Sequence, residues 1–136
     1  MFSSKLGTVR ELIRDFPAYQ EITVSVDGAE AKAIAYPALT GAVQAGDRVW
    51  LNTTAVELKL GTGGYHFVQA IVGREEREFT PQGHIMKLRY TPWQLSVQAA
   101  EEEGSDDHEL IKGFTSLNGT PVVVGTLHSM IVPAVL

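Results

Sequence analysis

Apolar and polar positions alternate over much of the first half of the chain. Ile22, Val24 and Val26 are interleaved with Thr23 and Ser25, the period-two pattern of a half-buried strand. Asp27-Gly28 follows at once and predicts a tight hairpin, because glycine accepts the positive φ such turns need. The return strand is expected over 32–36, with Ile34 and Tyr36 on one face and Ala33 and Ala35 on the other, and Pro37 ends it. Residues 8–14 read as a strand, although Val9, Leu12 and Ile13 also fit the start of a short helix; Phe16-Pro17 breaks the segment. Ala45-Gly46-Asp47 predicts a turn into a strand over 48–52. Residues 56–60 are ambiguous, Gly61-Thr62-Gly63-Gly64 interrupts the pattern, and residues 65–72, rich in aromatic and β-branched side chains, predict a strand.

The second half is less regular. Arg74-Glu75-Glu76-Arg77-Glu78 predicts a charged loop or hairpin tip. Residues 85–90 predict a strand with Met86, Leu88 and Tyr90 facing one way and Lys87 and Arg89 the other. Pro92 then marks an edge or bulge, and Leu95, Val97 and Ala99 resume the alternation. Residues 101–108 form an acidic connector, and 109–117 carry no clear pattern. Pro121-Val122-Val123-Val124-Gly125 is a continuous apolar run, as in strands covered on both faces. With Thr126-Leu127-His128-Ser129 and the apolar residues after them, it predicts a strand, a turn and the first turns of a helix. A parallel sheet needs a further strand after such a unit, so the chain is expected to be the N-terminal part of a longer protein. The alternative is that 122–124 join the β-meander and the tail packs on it.

The expected architecture is mainly β. A small β-barrel or meander spans 1–72, a β-hairpin region with the acidic connector spans 73–120, and 121–136 open a truncated α/β unit. The 136 residues, 44% of them hydrophobic, suffice for a core. The absence of cysteine excludes disulfides and thiolate chemistry. No secretory signal is visible at the N-terminus, and no apolar run approaches the ~20 residues of a membrane helix, so a cytoplasmic location and no membrane partner are expected. Residues 101–136 hold one cation, Lys112, and six acids, and so carry the entire formal net charge of −5; the first hundred residues are balanced. A nucleic-acid binder normally presents a basic face, which makes that partner class an unfavoured one. Lys87 and Arg89 beside Trp93 are too few cations to reverse this.

Several strings bear a resemblance to a known family: Glu30-Ala31-Lys32-Ala33-Ile34, Gly46-Asp47-Arg48-Val49, Leu51-Asn52-Thr53-Thr54-Ala55-Val56-Glu57-Leu58, Leu60-Gly61-Thr62-Gly63-Gly64-Tyr65-His66-Phe67-Val68, Gly83-His84-Ile85-Met86-Lys87-Leu88-Arg89-Tyr90-Thr91-Pro92 and Leu127-His128-Ser129-Met130. Together they resemble the start of the domain of unknown function 3866. The resemblance implies a bacterial, cytoplasmic origin and a longer chain whose remainder is α/β. It implies no activity and no catalytic residue.

Candidate chemistry is sparse. Gly61, Thr62, Gly63 and Gly64 could offer backbone N–H groups to an anion, but the loop lacks a P-loop lysine and leads into a strand; a tight turn is the plainer reading. His128 and Ser129 sit where α/β sheets place ligands, beyond a strand and at a helix start. They are the candidate catalytic pair, although adjacent residues rarely serve each other as base and nucleophile and Ser129 fits a helix N-cap. Asp106-Asp107-His108-Glu109 matches no metal-ligand spacing, and His66 and His84 read as packing residues, so neither metal nor cofactor is expected. The expected function is a non-catalytic binding module whose partner is the remainder of its own chain, with self-association through the apolar tail as a further route. An enzyme or ligand-binding portion completed near His128 and Ser129 by residues outside this chain is the alternative.

Overall fold

The computed structural model describes residues 2–74, 76 and 83–135, with the backbone alone for His128 and Val135. The chain divides into two compact units, Met1–Phe79 and Thr80–Leu136.

The first unit is a closed five-stranded barrel. Its strands are β1 (Ser4–Asp15), β2 (Gln20–Val26), β3 (Ala29–Ala35), β4 (Arg48–Asn52) and β5 (Tyr65–Ile71), ordered β1-β2-β3-β5-β4 around the wall. Two single-turn helices interrupt them, α1 (Pro37–Thr40) and α2 (Thr54–Glu57). Of the ambiguous residues 56–60, Val56 and Glu57 belong to α2 and the rest form a turn, and residues 8–14 resolve as strand. The Asp27-Gly28 hairpin forms as expected, with φ of 50° and 78° at the two turn residues and Val26 opposite Ala29.

Closure depends on β1. Its first half pairs with β4 and its second half with β2. Register shifts after Val9 and after Leu12 bend the strand between these partners, which is what bulges do at the corners of small barrels. Gly7 lies at the crossing, opposite both Val26 and Val49. A Cβ there would stand 2.7 Å from Leu51 Cδ1 and 3.1 Å from the Ser25 carbonyl oxygen, so any larger residue must displace the buried Leu51 side chain. The parallel pairing of β3 with β5 shuts the wall.

The alternation of the sequence becomes the inside and outside of the barrel. Val9, Ile22, Val24, Val26, Ala33, Ala35, Val49, Leu51, Val68 and Ile71 point inward, and Val43 from the α1–β4 connection completes the core. Alanines at 33 and 35 leave room for the larger residues facing them, the small/large complementarity a narrow barrel needs. Gln20 is buried, and its side chain spans the barrel end: Val43 N–H donates to Oε1 at 2.8 Å, and Nε2 donates to the Val43 carbonyl at 3.4 Å and to Asp15 Oδ1 at 3.1 Å. A buried polar residue is thus fully engaged in tying the connection to the wall.

The second unit holds an antiparallel hairpin of β6 (Ile85–Lys87) and β7 (Leu95–Val97), a short α3 (His108–Lys112), a 3-10 turn (His128–Met130) and α4 (Ile131–Val135). The strand expected over 85–90 stops at Lys87, because Leu88 and Tyr90 take positive φ (50° and 64°) and consecutive turns follow through Thr91 and Gln94. The face shared by Lys87 and Arg89 is therefore not built. Glu102, from the acidic connector, staples the hairpin: its carboxylate accepts from Ala99 N–H at 2.8 Å and His84 N–H at 2.9 Å and lies 3.0 Å from His84 Nδ1. These donors, the Ala99 amide foremost, hold its carboxyl below the usual range. The turn and helix expected after residue 125 are present. Residues 121–125, expected as a strand, carry no ladder among the described residues, since a strand exists only where a second backbone accepts its hydrogen bonds. Glu75, Arg77 and Glu78 of the expected charged loop lie outside the described residues.

Candidate functional site

The outside of the barrel has two contrasting sides. On β2 and β3 the outward positions are Glu21, Thr23, Ser25, Glu30 and Lys32, with Glu11 opposite Thr23 on β1. Arg14 approaches Glu21 at 3.7 Å. On this face acids outnumber cations, which opposes a phosphate backbone.

The other side, formed by β3, β5, β4 and the first half of β1, is aromatic. Ile34 of β3 pairs with Phe67 of β5, and Lys32 pairs with Tyr65. Tyr36, just beyond β3, stacks its ring on Phe67 at 6.3 Å between centroids and 6° between planes. Lys32 Nζ lies 5.7 Å from the centre of the Tyr65 ring. On β4, Trp50 faces outward between Leu6 and Ala70. Tyr36 remains 39% and Trp50 44% exposed. Trp and Tyr supply a large contact area at low entropic cost and are enriched in binding surfaces; the carboxylate of β3, Glu30, lies at the other end of that strand from Ile34 and Tyr36.

A polar knot closes one end of the barrel. Glu57 Oε1 of α2 accepts from Ser3 Oγ at 3.0 Å and Thr53 Oγ1 at 2.8 Å, and Lys5 Nζ stands 3.0 Å away. Lys5 also reaches Asp27 at 2.7 Å. These contacts, Lys5 first, hold the Glu57 carboxyl below its ordinary range; Asp27 and then Glu57 raise the Lys5 ammonium above its own. Beside them His66, on the inward face of β5, is buried, and among the described residues its Nδ1 has no hydrogen-bond partner. Burial lowers its pKa, which Glu57 partly offsets. The hydroxyls of Ser3 and Thr53 are consumed within the knot, so the arrangement braces the α2 turn against β1 and leaves no free nucleophile.

The candidates from sequence are dispersed. Gly61, Thr62, Gly63 and Gly64 form the turn from α2 into β5, with positive φ at Gly63 and Gly64. The Thr62 and Tyr65 amides bond within the turn, to Leu60 and Thr62 carbonyls. His128 and Ser129 lie in the 3-10 turn before α4. Ser129 is exposed, and among the described residues no side chain hydrogen-bonds to it. Next to this turn is a pocket lined by Val123, Gly125, Met130, Ile131, Pro133 and Ala134, all apolar. His66 is a core residue, His84 an exposed one. His108 Nδ1 lies 2.7 Å from the Glu101 carbonyl oxygen. Among the described residues no cluster of three potential metal ligands occurs, and no helix is long and apolar enough to cross a membrane.

The aromatic side escaped the sequence reading. Alternation puts Ile34 and Tyr36 on one face, yet nothing local says that β5 lies beside β3. The knot joins residues about fifty positions apart and leaves no sequence signal.

The model of a protein family described as "Protein of unknown function (DUF3866)" matches residues 32–136, from within β3 to the last residue. The chain belongs to that family. The DUF3866 match covers Tyr36 and the aromatic residues of β4 and β5 as well as the whole second unit, and carries no activity with it. No curated protein matches the chain, and no solved structure does.

Proposed function

We propose that this DUF3866 chain is a non-catalytic binding module, and that the aromatic side of the barrel docks the remainder of a longer bacterial, cytoplasmic protein. The observation that carries this reading is the contrast between the two sides of one barrel. Tyr36, Phe67, Tyr65, Ile34 and Trp50 lie outside, unneeded by the core, while the opposite side is polar. Burying one such aromatic removes on the order of 150–250 Å² from water, so three or four supply the anchors of a stable interface.

The competing reading places a ligand or catalytic site at His128 and Ser129, completed by residues outside this chain. The neighbouring pocket is lined by apolar residues, which suits a polar substrate poorly, so docking is preferred.

Titration calorimetry of this chain against the polypeptide that follows it in the natural protein tests the proposal. Binding is expected, weakened at least tenfold by Trp50→Ala or Tyr36→Ala and unchanged by Thr23→Ala on the polar side. No heat of binding, or equal loss from all three variants, sinks the assignment. So does an immunoblot showing that the natural protein is no larger than 14.8 kDa.

A further inference from the structure

The second unit differs from the barrel in one respect: none of its described residues is buried. Its largest bare area lies near the C-terminus. Val122, Val123 and Val124 are 61%, 80% and 90% exposed, and Leu127, Met130, Ile131 and Val132 are each about half to two-thirds exposed. Three successive β-branched residues strongly favour extended backbone, yet their N–H and C=O groups enter no ladder among the described residues. Val123 and Gly125 face Met130, Ile131, Pro133 and Ala134 across the apolar pocket, so α4 lies over that face of the segment. Among the described residues no strand lies beside the segment.

We infer that residues 121–125 pair with the same residues of a second copy of this chain, as a two-stranded antiparallel ladder across a two-fold axis centred on Val123. Three observations select a second copy. The segment is self-complementary: with Val123 on the axis, Val122 stands opposite Val124 of the partner subunit, so one apolar patch serves both sides, as an isologous interface requires. The area fits: the exposed parts of Val122–Val124, Leu127, Met130, Ile131 and Val132 amount to roughly 800 Å², the share one partner brings to a standard-size interface. The charge fits: residues 113–136 contain no Lys, Arg, Asp or Glu, so two copies of a chain of net charge −5 meet here without like charges in the contact. Main-chain hydrogen bonds supply affinity in this strand-addition mode, and the valines supply register. Pro121, without an N–H, and Gly125 bound the ladder to its valine centre.

These 136 residues hold no cysteine, so with any cysteine elsewhere in the natural chain replaced by serine, cross-linking is a direct test. Directly opposed residues of an antiparallel ladder have Cα atoms about 4.5–5.5 Å apart, within disulfide reach. In the full natural chain, Val123→Cys is expected to form a homodimeric disulfide under mild oxidation, at least tenfold faster than Ser116→Cys at an exposed site away from the segment. Light scattering at micromolar protein is expected to give twice the monomer mass, and Val123→Pro, which removes a ladder N–H, to give the monomer. Circular-dichroism melting of Val123→Pro should show the barrel transition intact, so that loss of the dimer is not loss of the fold. A native monomer overturns the inference, as does a dimer that survives Val123→Pro or a Val123→Cys link no faster than that of Ser116→Cys. Capture of a different apolar strand by a monomeric chain would assign the segment to that partner and would equally overturn it.

Discussion

Tyr36, just beyond β3, and Phe67 of the parallel neighbour β5 hold their rings 6° from parallel and 6.3 Å apart, on the outside, where neither serves the core. A protein gains little stability from an exposed ring pair. Offset-stacked aromatics contribute about 0.5–1.5 kcal/mol beyond their burial. A double-mutant cycle of Tyr36→Ala and Phe67→Ala is therefore expected to show coupling of about that size in urea melts. Coupling indistinguishable from zero would mean the rings are held apart in solution.

Gly7 is fixed by Leu51 and by the backbone of β2. Gly7→Ala pushes a methyl group to 2.7 Å from Leu51 Cδ1 and 3.1 Å from the Ser25 oxygen, and overpacking of this kind costs about 1–3 kcal/mol. Leu51→Ala alone should cost about 2–5 kcal/mol, as deletion of a fully buried leucine does. Because both changes act on one space, the double variant should lose less than the sum. Additive losses in denaturant titrations would show that the Ser25 carbonyl, not Leu51, sets the limit.

Gln20 is the second polar dependence of the barrel. Gln20→Leu keeps the apolar volume but strands the N–H and C=O of buried Val43. A buried group left unpaired costs about 1–3 kcal/mol. The loss should appear in thermal melts and, more sharply, as faster hydrogen exchange at the Val43 amide; unchanged protection there would refute the bridging role.

His66 links stability to pH. Burial lowers its pKa from the ordinary 6.5, so the unfolded chain takes up a proton first as pH falls. The folded state then loses ground from about pH 6.5 down to the folded pKa, below which the penalty is constant. Glu57 has the opposite charge type and acts lower: its depressed pKa gives stability present above 4.5, lost as pH falls through the folded value. Glu57 and Lys5 are the charged groups that act on His66. Wild-type protein should lose a few degrees of Tm between pH 7.5 and 5.5, and His66→Leu should flatten that slope while leaving the loss below pH 4.5. Identical slopes in the two proteins would clear His66 of the effect.

The barrel strands were legible in the chain because one residue in two meets the core. Val24, Ala33 and Leu51 reveal their face by alternation alone, and Asp27-Gly28 encodes its own turn. That the protein is mainly β, with a charge-neutral first hundred residues and no thiol chemistry, is likewise written in composition and local pattern. Tertiary structure decided the rest. Short-range pattern cannot say which strand lies beside which, so the aromatic side needed the β3–β5 pairing, and the Ser3–Glu57 knot needed closure of β1 onto β4. The same reason governs residues 85–90 and 121–125. An apolar or alternating run supplies the capacity for a strand, while the strand itself requires a partner backbone. Leu88 turned away from such a partner, and Val122–Val124 remain extended in preference but unpaired, because the hydrogen bonds that define a ladder belong to two segments and the sequence of one specifies only half of them.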